Sequence, residues 1–266
     1  MTAPHAPARV SAWTVFLALL ARDARVVRRE FVAFLLRTSL QPLLFVIVFG
    51  YLLPRMGYLG RNYGTAMLPG ILAVSLTLAS MQAVALPMVV DFGWTREIED
   101  RLLAPVPVWL IAFEKVFAGT VQGVLAVAFV LPVSRLIMGP IPGLSLARGL
   151  EAAGMASLGS AAFSAFGLLL GTAIEPAQIG LMFSVIITPM IFFGCAYYPW
   201  IGLARVPVMQ WAVLVNPMVY VSEGLRATLT RGLPHMPEWV VYLVLAGWVA
   251  LFWTLGRRSF ERRAIG

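Results

Sequence analysis

Residues 66–90 read AMLPGILAVSLTLASMQAVALPMVV and contain no charged side chain. A helix of about 20 apolar residues crosses the ~30 Å hydrocarbon core of a bilayer, so this run is long enough to span a membrane. Inside lipid every backbone amide and carbonyl must find its hydrogen bond within the protein, and a helix meets that requirement. The stretch therefore predicts an α-helical membrane span.

The composition of the whole chain indicates the same class of protein. Hydrophobic residues make up 60% of the sequence, charged residues 12%, and the mean hydropathy is +0.86, far from the balance of a soluble domain. The net charge of +8 belongs to arginines that flank apolar runs, so we expect no nucleic-acid partner. One cysteine, Cys195, and two isolated histidines, His5 and His235, offer no disulfide or metal site.

Six apolar runs predict an all-α integral membrane protein with six transmembrane helices in a single domain over residues 1–266. The fourth run contains small residues that let helices approach closely, namely Ser157, Ser160, Ser164, Gly167 and Gly171. The predicted spans cover residues 38–53, 66–90, 116–136, 152–174, 178–198 and 239–255.

The segment between the last two spans is too apolar for a plain loop and too broken for a full span. Pro199, Pro207 and Pro217 divide it. Irregular backbone is tolerated at membrane depth where protein shields it. We therefore predict an external re-entrant helical hairpin over residues 200–237.

An amphipathic helix is predicted before the first span, over residues 11–35. Its apolar residues recur at helical spacing, and Arg22, Arg25 and Arg29 fall on the opposite side. Such a helix lies in the membrane interface with its arginines toward lipid headgroups or a protein partner. A cleaved signal peptide is the competing interpretation, but here the arginines follow the apolar run, whereas a signal peptide places them before it.

A charged stretch, residues 95–107, separates the second and third spans and is closed by Glu114 and Lys115. We expect this stretch and these two residues to lie in water. As a helix over residues 95–105 it would pair Arg96 with Asp100 and Glu97 with Arg101 at i,i+4. An ordinary solvated loop is the alternative. The residues of interest are Arg96, Glu97, Glu99, Asp100, Arg101, Leu102 and Lys115.

The distribution of arginines predicts the orientation of the chain. Six spans place both termini on one side of the membrane, and that side also receives the arginines of residues 22–37 and 257–263. Positive charge is enriched on the cytoplasmic side. Both termini are therefore predicted to be cytoplasmic.

The chain lacks the residues of an enzyme or a self-powered pump. No stretch matches Gly-x-x-x-x-Gly-Lys-Ser/Thr, the loop that cradles nucleotide phosphates. Apart from Arg135 at the end of the third, the predicted spans carry no acidic or basic residue, whereas proton- and cation-coupled carriers place such residues near the midplane. Energy for any transport is therefore expected to come from another chain.

Several short motifs, in this order, resemble the membrane subunit of a type-2 ABC exporter, and together they cover nearly the whole chain. The first of these features is the interfacial helix. The motifs that come after it are Tyr63-Gly64, Leu68-Pro69-Gly70, Leu102-Leu103-Ala104-Pro105, Lys115, Gly194, Pro199, Asn216-Pro217, Tyr220 and Arg226.

The resemblance implies a multi-pass permease of the bacterial cytoplasmic membrane, acting as a homodimer or heterodimer on two ATPase subunits. ATP and Mg²⁺ would be bound by those partners, with no cofactor on this chain. Residues 95–105 would form the coupling helix at the ATPase, beside the interfacial helix.

The resemblance also implies export of a drug, a lipid or a lipid-linked glycan along spans one and five and the hairpin. Span five supplies Met190, Phe192, Phe193, Tyr197 and Tyr198, a surface suited to amphipathic cargo, although an aromatic belt at the membrane interface has the same composition. A non-transporting membrane scaffold, or a channel that docks a soluble partner, is the alternative function.

Overall fold

The computed structural model describes residues 12–60, 63–95, 107–139, 145–230 and 232–265. These residues are helical apart from turns and short connections, and they include no β-strand. The all-α prediction is confirmed for this part of the chain.

Within the residues that the structure describes, five helices are long and apolar enough to cross a membrane, and they contain five of the six predicted spans. They are α2 (Phe31–Arg55), α3 (Tyr63–Val90, continued as a π-helical turn over Asp91–Thr95), α4 (Val108–Met138), α5 (Leu146–Ala173) and α9 (Glu238–Ile265). Preceding them is α1 (Ala12–Arg29).

The predicted fifth span is shorter than expected. The helix α6 covers Pro176–Phe192 and contains a π-helical segment, Phe183–Ile187. It ends before the predicted limit at Tyr198, because the backbone turns after Phe192 and Cys195 adopts a φ of 53°, which lies outside helical geometry.

Two further short helices lie between α6 and α9. They are α7 (Pro207–Ala212) and α8 (Pro217–Leu229), with 3₁₀ turns at Trp200–Arg205 and Val213–Val215. Proline occupies the first position of both helices, where its missing N–H has no helical partner to lose.

The centre of the bundle is α3, which packs against α4, α5 and α8. It is apolar on all sides, so it can be enclosed by neighbours rather than lie at the surface. Leu72, Leu76 and Met81 on α3 and Phe163 on α5 are completely buried. The other long helices are arranged around this one.

Small residues of α5 make its close approach to α3 possible. A Cβ atom at Gly167 would lie 2.6 Å from the carbonyl oxygen of Met81, and one at Gly171 would lie 2.9 Å from that of Ala85. Ser160 and Ser164 are buried as well, and they face Gly123 and Gly119 of α4. Ser157 is exposed and donates to the carbonyl of Ala153, so four of the five predicted small residues lie in buried contacts between helices.

Another close approach joins α3 to the turn after α6. A Cβ atom at Gly70 would lie 1.8 Å from the carbonyl oxygen of Ala196. This contact is backbone against backbone, so no side-chain rotation can relieve it.

Replacing Gly70 with alanine is therefore expected to destabilise the protein by about 1–3 kcal/mol, the usual range for overpacking. The measurement is the thermal unfolding midpoint of the purified protein in detergent micelles. Gly154, which also lies within a helix but has open space at its Cβ position, provides the control. G154A should unfold at or slightly above the wild-type temperature, and equal midpoints for G70A and G154A would contradict the close contact.

Candidate functional site

The proposed coupling stretch lies outside the described residues. Of the predicted coupling helix over 95–105, the structure describes only Thr95, which ends the π-helical turn after α3. Pro107 then precedes the start of α4 at Val108. Arg96, Glu97, Glu99, Asp100, Arg101 and Leu102 all fall between these points.

Lys115 joins α4 to α1 through a partly buried ion pair. Its ammonium group donates a hydrogen bond to the carboxylate of Asp23 and lies 3.4 Å from that of Glu114. Lys115 is 5% exposed and Glu114 is completely buried. The prediction that these two residues lie in water is therefore wrong, because both side chains are enclosed between the helices.

The contact between α1 and α4 also has an apolar part. Phe16 is buried, and its ring lies 5.9 Å from that of Phe113 and 6.3 Å from that of Phe117. The amphipathic pattern thus places one face of α1 against α4.

The three arginines predicted on the opposite face of α1 have different surroundings. Arg25 and Arg29 are exposed, and Arg25 donates from Nε to the carbonyl of Ala21 at 3.1 Å. Arg22 is also exposed, and it lines a cavity of about 740 Å³ between α1, α2, α3 and α4. Charged residues of both signs border this cavity: Arg22, Asp23, Glu30, Arg37, Asp91 and Lys115.

A second ion pair, which is fully buried, lies in α8. The carboxylate of Glu223 accepts hydrogen bonds from the guanidinium of Arg226, from the backbone N–H of Trp200 at 2.9 Å and from that of Met236 at 3.1 Å. Arg226 also donates to the carbonyl of Cys195 at 3.1 Å. Both side chains are completely buried, so this pair connects α8 to the segments that precede and follow it.

The other predicted hairpin residues close the turn that leads into α8. Asn216 accepts from the backbone N–H of Met218 at 3.0 Å, as an N-cap does, and donates to the carbonyl of Met190 at 2.7 Å. Pro217 occupies the first helical position, and Tyr220 donates from its hydroxyl to the carbonyl of Leu214 at 2.9 Å.

All of α8 is buried against α3, α5 and α9. Its polar groups therefore face protein on every side, the condition under which broken helices are tolerated at membrane depth.

The predicted cargo surface is partly exposed. Phe192 and Phe193 are 57% and 46% exposed, and Phe193 and Met190 line an apolar cavity of about 460 Å³ with Met209 and Val213.

The two tyrosines of that surface are held by the protein itself. Tyr197 packs with its ring 5.2 Å from that of Phe45 on α2. Tyr198 donates from its hydroxyl to the carbonyl of Phe192 at 3.1 Å. Both therefore serve the local structure.

Sequence reasoning missed two acidic residues that organise these sites. Asp23 is the one acid among the arginines of α1, and Glu223 lies three positions before Arg226 in an apolar helix. For Glu223 the signal was an acid near a base within an apolar helix, where a charge requires a partner. For Asp23 it was a single acid among arginines.

Removing one member of the α8 ion pair is expected to be costly. R226M leaves the Glu223 carboxylate buried without its cation, and breaking such a pair typically costs about 3–5 kcal/mol. We expect a large drop in the thermal unfolding midpoint in detergent micelles. The control is R257M, which breaks the partly exposed pair between Arg257 and Glu261 and should cost under about 1 kcal/mol. Similar midpoints for the two variants would contradict the structural role of Arg226.

Comparison with known proteins identifies relatives of this chain. It is 26% identical over 256 residues to the inner membrane transport permease YadH of Escherichia coli K12, a match that covers 93% of this chain and 96% of the relative. The YadH protein of Shigella flexneri matches with the same identity and coverage. The family model for ABC-2 type transporters matches residues 14–230. This range includes the ion pairs of α1 with α4 and of α8, and it shows that the chain belongs to the ABC-2 type transporter family.

Proposed function

We propose that this chain is the non-catalytic permease subunit of an ATP-driven exporter, powered by two copies of an ABC ATPase on a separate chain. Membership of the ABC-2 family and the names of the inner-membrane permease relatives support the transport role. The sequence contains no nucleotide-binding loop, so ATP and Mg²⁺ belong to the partner. A second, identical permease completes the assembly.

In this proposal the chain crosses the bacterial inner membrane six times, with Pro176–Phe192 as the fifth span and both termini in the cytoplasm. The arginine distribution supports this orientation. The amphipathic α1 lies in the cytoplasmic interface, and residues 200–237 form the re-entrant hairpin on the external side.

One observation carries the proposed coupling mechanism, namely the partly buried ion pair between Lys115 of α4 and Asp23 of α1. The described part of α4 begins immediately after the charged stretch 96–106. A push on that stretch by the ATPase would therefore enter α4 at its first turn and reach α1 through this ion pair. The tightly packed bundle would then move as a rigid body, as packed helices do in switching transitions.

The proposed cargo is an amphipathic molecule such as a drug, a lipid or a lipid-linked glycan. The exposed rings of Phe192 and Phe193 and the apolar cavity lined by Met190 support this class. Aromatic and methionine side chains adapt to apolar ligands of varied shape.

Reversing two charges of the coupling stretch tests the function. E97K/D100K would turn two attractive i,i+4 pairs into repulsive ones, a change of about 1–2 kcal/mol in total. We expect export by the reconstituted complex to fall about tenfold while ATP hydrolysis continues. The complex is purified from native membranes, and mass spectrometry identifies the companion chain by its Gly-x-x-x-x-Gly-Lys-Ser/Thr loop.

The control is E151K/E238K, which makes the same change in charge at two exposed glutamates of α5 and α9. Unchanged coupling in E97K/D100K would contradict the proposed role of residues 95–105. A purified permease dimer without any ATPase companion would instead favour the membrane scaffold or channel.

The cargo surface is tested by F192A/F193A. We expect this variant to assemble normally and to lose stimulation of ATP hydrolysis by bulky amphipathic compounds, because it removes the exposed rings beside the apolar cavity. The measurement is ATP hydrolysis by the reconstituted complex across a panel of such compounds.

W239A provides the matched control. Trp239 is 70% exposed at the first turn of α9, and we expect it to belong to the aromatic belt and not to the cargo surface. If every compound changes ATP hydrolysis equally in F192A/F193A and W239A, then the rings of Phe192 and Phe193 belong to the aromatic belt. The proposed cargo surface would then be wrong.

A further inference from the structure

A cavity of about 700 Å³ lies between the last turn of α5 and the last turns of α9. Its polar side is formed by Thr172, Glu175, Arg258, Ser259, Arg262 and Arg263. Three arginines against one glutamate leave an excess of positive charge. Neither the coupling mechanism nor the cargo path uses this cavity.

Arg263 and two hydroxyl groups on one side of the cavity are held in place by hydrogen bonds. The guanidinium of Arg263 donates to the carbonyl oxygens of Thr172 at 2.8 Å and Ile174 at 3.3 Å, and it lies 5.1 Å from the ring of Phe92. The hydroxyl groups of Thr172 and Ser259 are hydrogen-bonded at 2.9 Å. Arg263 thus caps the end of α5, while its charge stays at the cavity wall.

The other two arginines have no such role. Arg258 and Arg262 are exposed, and neither makes a hydrogen bond or ion pair with any residue that the structure describes. They are spaced i,i+4 on α9, where two like charges repel and destabilise the helix. An anion between them would remove that repulsion.

The remaining lining residues are apolar. Leu169, Ala173 and Leu255 form the opposite wall, and Leu255 is 41% exposed. The cavity therefore combines cationic and apolar surface at the point where two membrane-length helices end. A free phosphate would use only the cationic part, whereas a lipid would use both.

We propose that this cavity binds the phosphate headgroup of an anionic membrane lipid. Arg258 and Arg262 contact the phosphate, and the apolar wall of Leu169, Ala173 and Leu255 packs against an acyl chain. Basic pockets between the ends of membrane helices suit such headgroups, and each arginine near an anionic surface strengthens binding about fivefold. This inference does not depend on the direction of transport or on the cargo.

The test measures phosphatidylglycerol retained by the purified complex in detergent micelles, by native mass spectrometry. Wild type should retain phosphatidylglycerol in preference to phosphatidylcholine. R258Q/R262Q should need about thirtyfold more phosphatidylglycerol for the same occupancy, since two fivefold contributions are lost. R258K/R262K, which keeps the charges but loses the forked guanidinium geometry, should fall between them and decides the question if the glutamine variant fails to fold.

The matched control is R205Q/R257Q, which removes two exposed arginines outside the cavity and should bind like wild type. Equal lipid retention by R258Q/R262Q and this control would overturn the proposal. Displacement of the lipid by micromolar inorganic phosphate would also overturn it, because the ligand would then be a soluble anion. Loss of the ATPase from R258Q/R262Q with unchanged lipid retention would assign the cavity to the partner protein instead.

Discussion

The arrangement of the second half of the chain depends on the buried carboxylate of Glu223. It accepts hydrogen bonds from the backbone N–H groups of Trp200 and Met236 and pairs with Arg226, which holds the carbonyl of Cys195. Each of these polar groups would cost about 1–3 kcal/mol if it were buried without a partner. One side-chain pair thus allows a proline-broken segment to pack inside a bundle of long apolar helices.

The packing of α3 depends on close backbone contact rather than on charge. Contacts at Gly70, Gly167 and Gly171 bring backbone against backbone, which gives α3 dense packing with α5 and with the turn after α6. In an apolar environment such van der Waals contact is a principal force between helices. A core of this kind shifts between discrete arrangements rather than deforming continuously.

The two ion pairs lie toward opposite ends of α3. The pair in α8 is near Gly70, and the pair of Asp23 with Lys115 is near Pro87, roughly 25 Å away along the helix. The rigid centre lies between them. In the proposed function, the ATPase would act at the end near Pro87, and the cargo surface would lie toward the other end.

The sequence by itself determined the class of the protein, the five long helices and the amphipathic character of α1, because apolar runs and their periodicity are local properties of the chain. Short motifs in a fixed order indicated the family. It also identified Arg226, Asn216 and Lys115 as residues of interest. Only the tertiary structure decided what they contact: Lys115 is buried against Asp23, Arg226 pairs with Glu223, and the three arginines at the end of α9 face a cavity with α5. Lys115 and Asp23, and likewise Thr172 and Arg263, lie far apart in the sequence, so their proximity depends on helix packing, which no local pattern encodes.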